Sequence, residues 1–261
     1  LLAYWFICAY DSLSIRERQV ISAMKAQGAG KAQIRARNAL APVARKLWSI
    51  EVSGIDRLPT SGPAILCPNH VSFLDSAFLM LVVSRNISFV GKAEYMDSWK
   101  TKFLFPMMGM IPIDRSGGEK SQAALDAAEY VLSRGELFGL FPEGTRSRDG
   151  SLYKGRTGIA RMAIESGAAI VPVAMFNTAE IQPTGQVVPK VQRVEMIFGE
   201  PLYYKGDTSD LKVLREITDE IMQKIQELSG QEYVDMYASE AKIILMKQRR
   251  EEAKKEKREK E

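Results

Sequence analysis

"AILCPNHVSFLDSAFLMLVVS", residues 64–84, contains two different patterns joined by a short polar stretch. "AILCP" (64–68) is an apolar run closed by proline, which reads as a buried strand, and residues 72–84 carry apolar positions at helical spacing. Between them sits His70, the single histidine of the chain, with Asp75 five residues later. Five residues along a helix is about 140° of rotation, so the two side chains cannot meet if both are mid-helix. His70 therefore lies before the helix and Asp75 in its first turn. The unit is strand, loop, helix.

The same alternation extends in both directions. "ISFVGKA" (87–93), "MIPIDR" (110–115), "LFGLFP" (137–142), "IVPVAM" (170–175) and "VEMIFG" (194–199) read as further strands bounded by Gly, Pro or charge. Helical patterns fall between them: "SQAALDAAEYVLSRG", with Ser121 as N-cap and Gly135 as C-cap, then 156–167 ending at Gly167. This spacing predicts an α/β fold with a largely parallel central sheet flanked by helices. An N-terminal amphipathic helical segment precedes it and C-terminal helices follow. The expected divisions are 1–51, a basic amphipathic region that docks on membrane; 52–202, the α/β domain; 203–245, helices packed on it; and 246–261, a charged tail. Beyond Met246 the tail, "KQRREEAKKEKREKE", is almost wholly charged and reads as a frayed, solvated end.

Composition sets outer bounds. With 261 residues, 46% hydrophobic and 26% charged, the chain can bury a full core. The net charge is +4, with the excess mainly at the two ends. Residues 11–50 carry eight Lys or Arg against two acidic residues, and Leu40, Val43, Ala44, Leu47 and Trp48 recur at helical spacing. A helix packed on the domain and a helix lying on a membrane surface share that pattern. No apolar run reaches the roughly 20 residues of a spanning helix. The chain begins at Leu1, so an anchor upstream stays open. Cys8 and Cys67 have no ligand-spaced neighbours, and they point to neither a disulfide framework nor a metal site. No nucleic-acid partner is expected.

Three constellations carry chemistry. A neutral imidazole can take a proton from an alcohol, and a carboxylate on its other nitrogen fixes the tautomer. His70 and Asp75 fit those roles, although a histidine before a helix is also an ordinary strand-end residue. No G-x-S-x-G elbow occurs, so a nucleophile for His70 would be a substrate hydroxyl attacking an activated donor such as a thioester. "FPEGTRS" (141–147) ends a strand with a turn that aims Arg146 outward, where its fork suits a tetrahedral anion, with Glu143 beside it. "GMIPIDR" (109–115) ends in Arg115, and Lys92 closes another strand. Cations at strand ends on the same side as His70 would make a positive pocket beside a base.

"NHVSFLD", "GMIPIDR", "FPEGTRS" and "IVPVAM", in this order and at these separations, resemble the four motif blocks of the glycerolipid acyltransferase superfamily. The nearest resemblance is to 1-acylglycerol-3-phosphate O-acyltransferases. The match spans roughly residues 52–202 and says little about residues 1–40 or the tail. It implies that His70 is the general base, that Asp75 orients it, and that no acyl-enzyme forms. It also implies that Lys92, Arg115, Glu143, Gly144 and Arg146 line the acceptor's phosphate site, and that Val171, Pro172 and Val173 lie near the acyl-chain region. The acyl donor is then acyl-CoA or acyl carrier protein, the acceptor lysophosphatidic acid, and no cofactor is bound. Members work at the membrane face, which implies a peripheral or monotopic position on the cytoplasmic face of the cell membrane and contact with anionic lipid. Glycerol 3-phosphate or another lysophospholipid is an alternative acceptor. A membrane-surface binding protein with a vestigial site is the alternative outside the enzymes.

Overall fold

The computed structural model describes residues 15–92, 108–113, 120–182 and 189–259. Nine strands and seven helices occur among them, and the architecture is α/β with a mostly parallel sheet. The strands are β1 (Glu51–Ser53), β2 (Ala64–Pro68), β3 (Ile87–Lys92), β4 (Met110–Ile113), β5 (Leu137–Gly139), β6 (Leu152–Tyr153), β7 (Ala169–Phe176), β8 (Glu195–Phe198) and β9 (Tyr233–Val234). The helices are α1 (Ile15–Leu47), α2 (Asp75–Val82), α3 (Lys120–Leu132), α4 (Gly158–Ser166), α5 (Thr178–Ile181), α6 (Leu211–Ser229) and α7 (Ala238–Glu259).

Seven strands form one sheet in the order β1-β8-β7-β2-β5-β3-β4, parallel except between β7 and β8. β2 is central, with Leu66 level with Gly139 of β5 on one side and Val171 of β7 on the other. All five residues of β2 are buried, as a parallel strand covered on both faces requires. Ala64 and Leu66 face a core that contains α2 and Ala44 of α1, while Ile65 and Cys67 face a second core built with α3, α4 and α6. Because β2, β3, β4, β5 and β7 run the same way, their carboxyl ends share one edge. Ligands of open α/β sheets gather beyond such an edge.

α6 shows how local chemistry sets an element. Asp210 caps its start, accepting from the N–H groups of Lys212 at 2.8 Å and Val213 at 3.4 Å, and Gly230 closes it in the left-handed conformation. Leu214, Ile217, Ile221 and Ile225 enter the core, whereas Leu211 of the same stripe stays exposed.

Several boundaries differ from the sequence reading. β1, β6 and β9 are two or three residues long, too short for a periodic signal. β5 ends at Gly139, and Leu140–Pro142 already belong to the loop beyond it. Ser121 lies inside the first turn of α3 and does not precede it. The charged run expected to fray continues α7 as helix to Glu259, in keeping with the helix propensity of Glu, Lys, Arg and Ala. Cys8 and the segment 1–14 lie outside the described residues; Cys67 is a buried free thiol whose pKa burial raises.

Candidate active site

Asp75 is the first residue of α2, fully buried, and its carboxylate organises the loop before it. Oδ2 accepts from the N–H groups of Val71 at 3.0 Å and Ser72 at 2.9 Å, and lies 2.9 Å from His70 Nδ1. Oδ1 accepts from the hydroxyl of Thr178 at 2.6 Å. An acceptor so placed takes Nδ1–H as its donor and leaves Nε2 of His70 as the free base. The α2 N-cap itself, Leu74, makes no side-chain cap, so Asp75 closes the loop and not the helix end.

The loop after β5 is bonded to the histidine loop. His70 N–H donates to Glu143 Oε1 at 3.0 Å, Ser147 N–H donates to the His70 carbonyl at 2.8 Å, and the Phe141 ring stacks on the imidazole at a centroid distance of 3.8 Å. Gly144 turns this loop at φ 74°, a conformation that only glycine adopts without strain. Asn69 fixes the other side: its amide donates to the Met175 carbonyl at 3.1 Å, and its Oδ1 accepts from Met175 N–H at 2.8 Å.

His70 opens onto a cavity of about 400 Å³. Phe73, Val90, Met110 and Phe141 supply apolar wall, and Arg146, Arg148 and Lys242 supply positive charge. None of these three cations has a hydrogen bond or ion pair among the described residues, and each is half-buried. A base beside unpaired cations and an apolar wall suits a ligand with an anionic head, a hydroxyl and a hydrocarbon part.

The residues expected from the motifs fall into different places. His70, Gly144 and Arg146 come together at the cavity, with Asp75 behind the imidazole. Glu143 does not line it: the carboxylate is 1% exposed, and its oxygens accept from the N–H groups of His70 and Tyr153, the latter at 3.1 Å. Burial, opposed by these two bonds and reinforced by Asp75 and Asp149, pushes its pKa up to about 8. Val171, Pro172 and Val173 also stand away from the described lining, buried in the sheet where β7 packs between β2 and β8. Lys92 ends β3 beside Ile113 of β4, and only its backbone is described. Arg115 lies outside the described residues. Thr178, Phe141, Arg148 and Lys242 were not anticipated. Arg148 was visible as a second arginine in the same loop; Lys242, 172 positions after His70, carried no local signal.

Residues 49–176 match the family model for Acyltransferase. They form an acyltransferase domain. Within the chain this domain contains every residue of the His70, Asp75 and Arg146 arrangement, while Thr178 and Lys242 fall after it. The chain is 30% identical to the chloroplastic 1-acyl-sn-glycerol-3-phosphate acyltransferase of Arabidopsis thaliana, over 63% of this chain and 46% of that protein. It is 28% identical to the 1-acyl-sn-glycerol-3-phosphate acyltransferase of Borreliella burgdorferi, over 51% of this chain and 54% of that protein. The chain thus spans about half the length of these curated relatives. The crystal structure of the 1-acyl-sn-glycerophosphate (LPA) acyltransferase PlsC from Thermotoga maritima superposes with a TM-score of 0.58 at 20% identity. It covers 82% of this chain and 98% of that one, so most of this chain shares that fold.

Proposed function

We propose that the protein is an O-acyltransferase that moves an acyl chain from acyl-CoA or acyl carrier protein to the free hydroxyl of 1-acylglycerol-3-phosphate, giving phosphatidic acid. The observation that carries this reading is the pair His70–Asp75 at 2.9 Å facing a cavity lined by cations that have no partner among the described residues. Similarity to proteins named 1-acyl-sn-glycerol-3-phosphate acyltransferases supports the acceptor.

His70 Nε2 takes the proton of the acceptor hydroxyl as its oxygen attacks the thioester carbonyl. The tetrahedral adduct collapses, the C–S bond breaks, and the thiolate leaves with that proton. Asp75 holds the imidazole tautomer and stabilises the imidazolium between the two steps. Arg146, with Lys92 and Arg115 as the resemblance implies, receives the acceptor's phosphate, and Gly144 allows the turn that presents it. Glu143 serves this site through the backbone of His70. No cofactor takes part in this scheme.

The enzyme works on the membrane as a peripheral or monotopic protein at the cytoplasmic face, with residues 1–51 as its docking region. Among the described residues no helix is long and apolar enough to cross a membrane. α1 holds the domain through one edge of its apolar stripe, where Ala44 is buried, and Trp48 just beyond its last turn packs edge-on against Phe78; the helix exposes the other edge, Leu40, Val43 and Leu47. Exposed Lys31, Arg35, Arg45 and Lys46 suit an anionic surface.

The test is thiol release from a panel of acyl thioesters crossed with lysophosphatidic acid, glycerol 3-phosphate, lysophosphatidylcholine and monoacylglycerol. Release that depends on acceptor and is fastest with lysophosphatidic acid is expected. Release without any acceptor would make the protein a thioester hydrolase, and a faster reaction with another acceptor would reassign the substrate.

A further inference from the structure

We propose that Lys242, in the first turns of α7, is a ligand for a phosphate monoester in the His70 cavity, so that the segment after the acyltransferase domain takes part in substrate recognition. This deepens the proposed function and rests on it.

Lys242 lines the same cavity as His70, Arg146 and Arg148, yet it belongs to a helix that begins more than sixty residues beyond the acyltransferase domain. Its position is built. Ala238 and Ala241 pack on Tyr153 of β6, the Arg156 guanidinium lies 4.5 Å from the Tyr237 ring centroid, and the same guanidinium donates to Ser239 Oγ at 3.0 Å. Lys154 adds a backbone bond to the Met236 carbonyl at 3.0 Å and an ion pair with Asp235 at 2.7 Å. Tyr153 in turn donates its N–H to Glu143, which accepts the N–H of His70. A continuous set of contacts thus runs from the start of α7 to the base.

Among the described residues the charges around the cavity do not balance. The nearby carboxylates are occupied by neutral donors: Glu143 by two backbone N–H groups, and Asp149 by the hydroxyls of Ser147 and Tyr153 and the N–H of Ser151. The cations Arg146, Arg148 and Lys242 have no acidic partner among the described residues, although Lys154 close by has one. Half-buried cations that line one cavity with no counter-charge among the described residues suit an anion from outside, and an ammonium with two guanidinium groups matches the several oxygens of a phosphate monoester. Both proposed substrates can offer one, the acceptor as its terminal phosphate and acyl-CoA on its nucleotide.

The experiment measures kcat/KM for the full chain, wild type, Lys242→Ala and Lys242→Arg, with two acceptors, lysophosphatidic acid and monoacylglycerol, and two donors, acyl-CoA and acyl-pantetheine. Calorimetric titration of lysophosphatidic acid and of coenzyme A into each protein runs beside it. Lys242→Ala should lower kcat/KM roughly ten- to a hundred-fold for the phosphate-bearing member of one pair relative to its partner. Lys242→Arg should recover most of it, and the corresponding Kd should weaken in step. A loss that follows the acceptor assigns the contact to lysophosphatidic acid; one that follows the donor assigns it to the nucleotide. Equal losses in all four combinations, or no loss in any, would overturn the inference. Should the wild type transfer no acyl group, the proposed function fails, and the titrations alone then decide on Lys242: Kd values unchanged by Lys242→Ala overturn it, and a ten-fold weakening sustains it.

Discussion

Thr178 holds the one oxygen of Asp75 that the histidine loop does not use, and both groups are fully buried. Thr178→Val keeps the shape and removes the donor, leaving Oδ1 unsatisfied. Stability should fall by roughly 1–3 kcal/mol in a thermal or denaturant melt. Because a freer carboxylate orients His70 less well, kcat should drop about ten-fold with a displaced pH profile, and Thr178→Ser should restore both. An unchanged pH profile with lower stability would limit Thr178 to a structural role. Glu143 makes a different forecast. Its folded pKa of about 8 lies above its ordinary value of 4.5, so the folded protein holds this proton more tightly than the unfolded chain. The stability associated with that proton is complete below about pH 4.5 and is lost as pH rises through about 8, an effect on the order of a few kcal/mol. Glu143→Gln should flatten this part of the stability curve, and an identical slope in both proteins would contradict it. His70 and Asp75 were legible in the sequence because a five-residue spacing is a local fact. Glu143 was misplaced, since a motif shows that a carboxylate is near a site but not which way its oxygens face. Thr178 was invisible because its partner is 103 residues away.

α1 uses its apolar stripe twice, and this divides one amphipathic pattern between two environments. Gln33 bonds both backbone groups of Ile87, donating to its carbonyl at 2.9 Å and accepting its N–H at 3.1 Å, and Arg37 donates to the Val83 carbonyl at 2.9 Å. Polar side chains thus help to seat the helix on the domain, which frees Leu40, Val43 and Leu47 to face outward. Replacing these three by Ser should lower binding to anionic vesicles by about two orders of magnitude, since burying each apolar side chain is worth roughly 1.5–3 kcal/mol when complete. Neutral vesicles should bind more weakly, each exposed Lys or Arg adding on the order of 1 kcal/mol at an anionic surface. Sedimentation with both vesicle types decides this, and equal sedimentation of variant and wild type would return the exposed edge to an ordinary surface. The long periodic elements, α3, α4 and α6, were legible because packing repeats every three or four residues. The two-residue strands β6 and β9 were not, because their pairing depends on α6 and the following loop reaching β6 from some eighty residues away.

Across the whole molecule, parallel strand direction does the assembling. β2, β5 and β7 end on the same edge, and from those ends come respectively His70, the loop bearing Arg146, and Thr178. Sequence order alone predicts the parallel sheet from alternating strands and helices, and with it the meeting of His70 and Arg146. It does not predict that a helix after the domain folds back to the same cavity with Lys242. In the proposed reaction His70 removes a proton from the acceptor hydroxyl during acyl transfer. The most direct test of this step is the rate of phosphatidic acid formation from acyl-CoA and lysophosphatidic acid by wild type and His70→Ala, with folding verified by thermal melting. We expect a folded variant whose kcat is lower by roughly 10² to 10⁴; a folded His70→Ala protein with wild-type turnover would contradict the account.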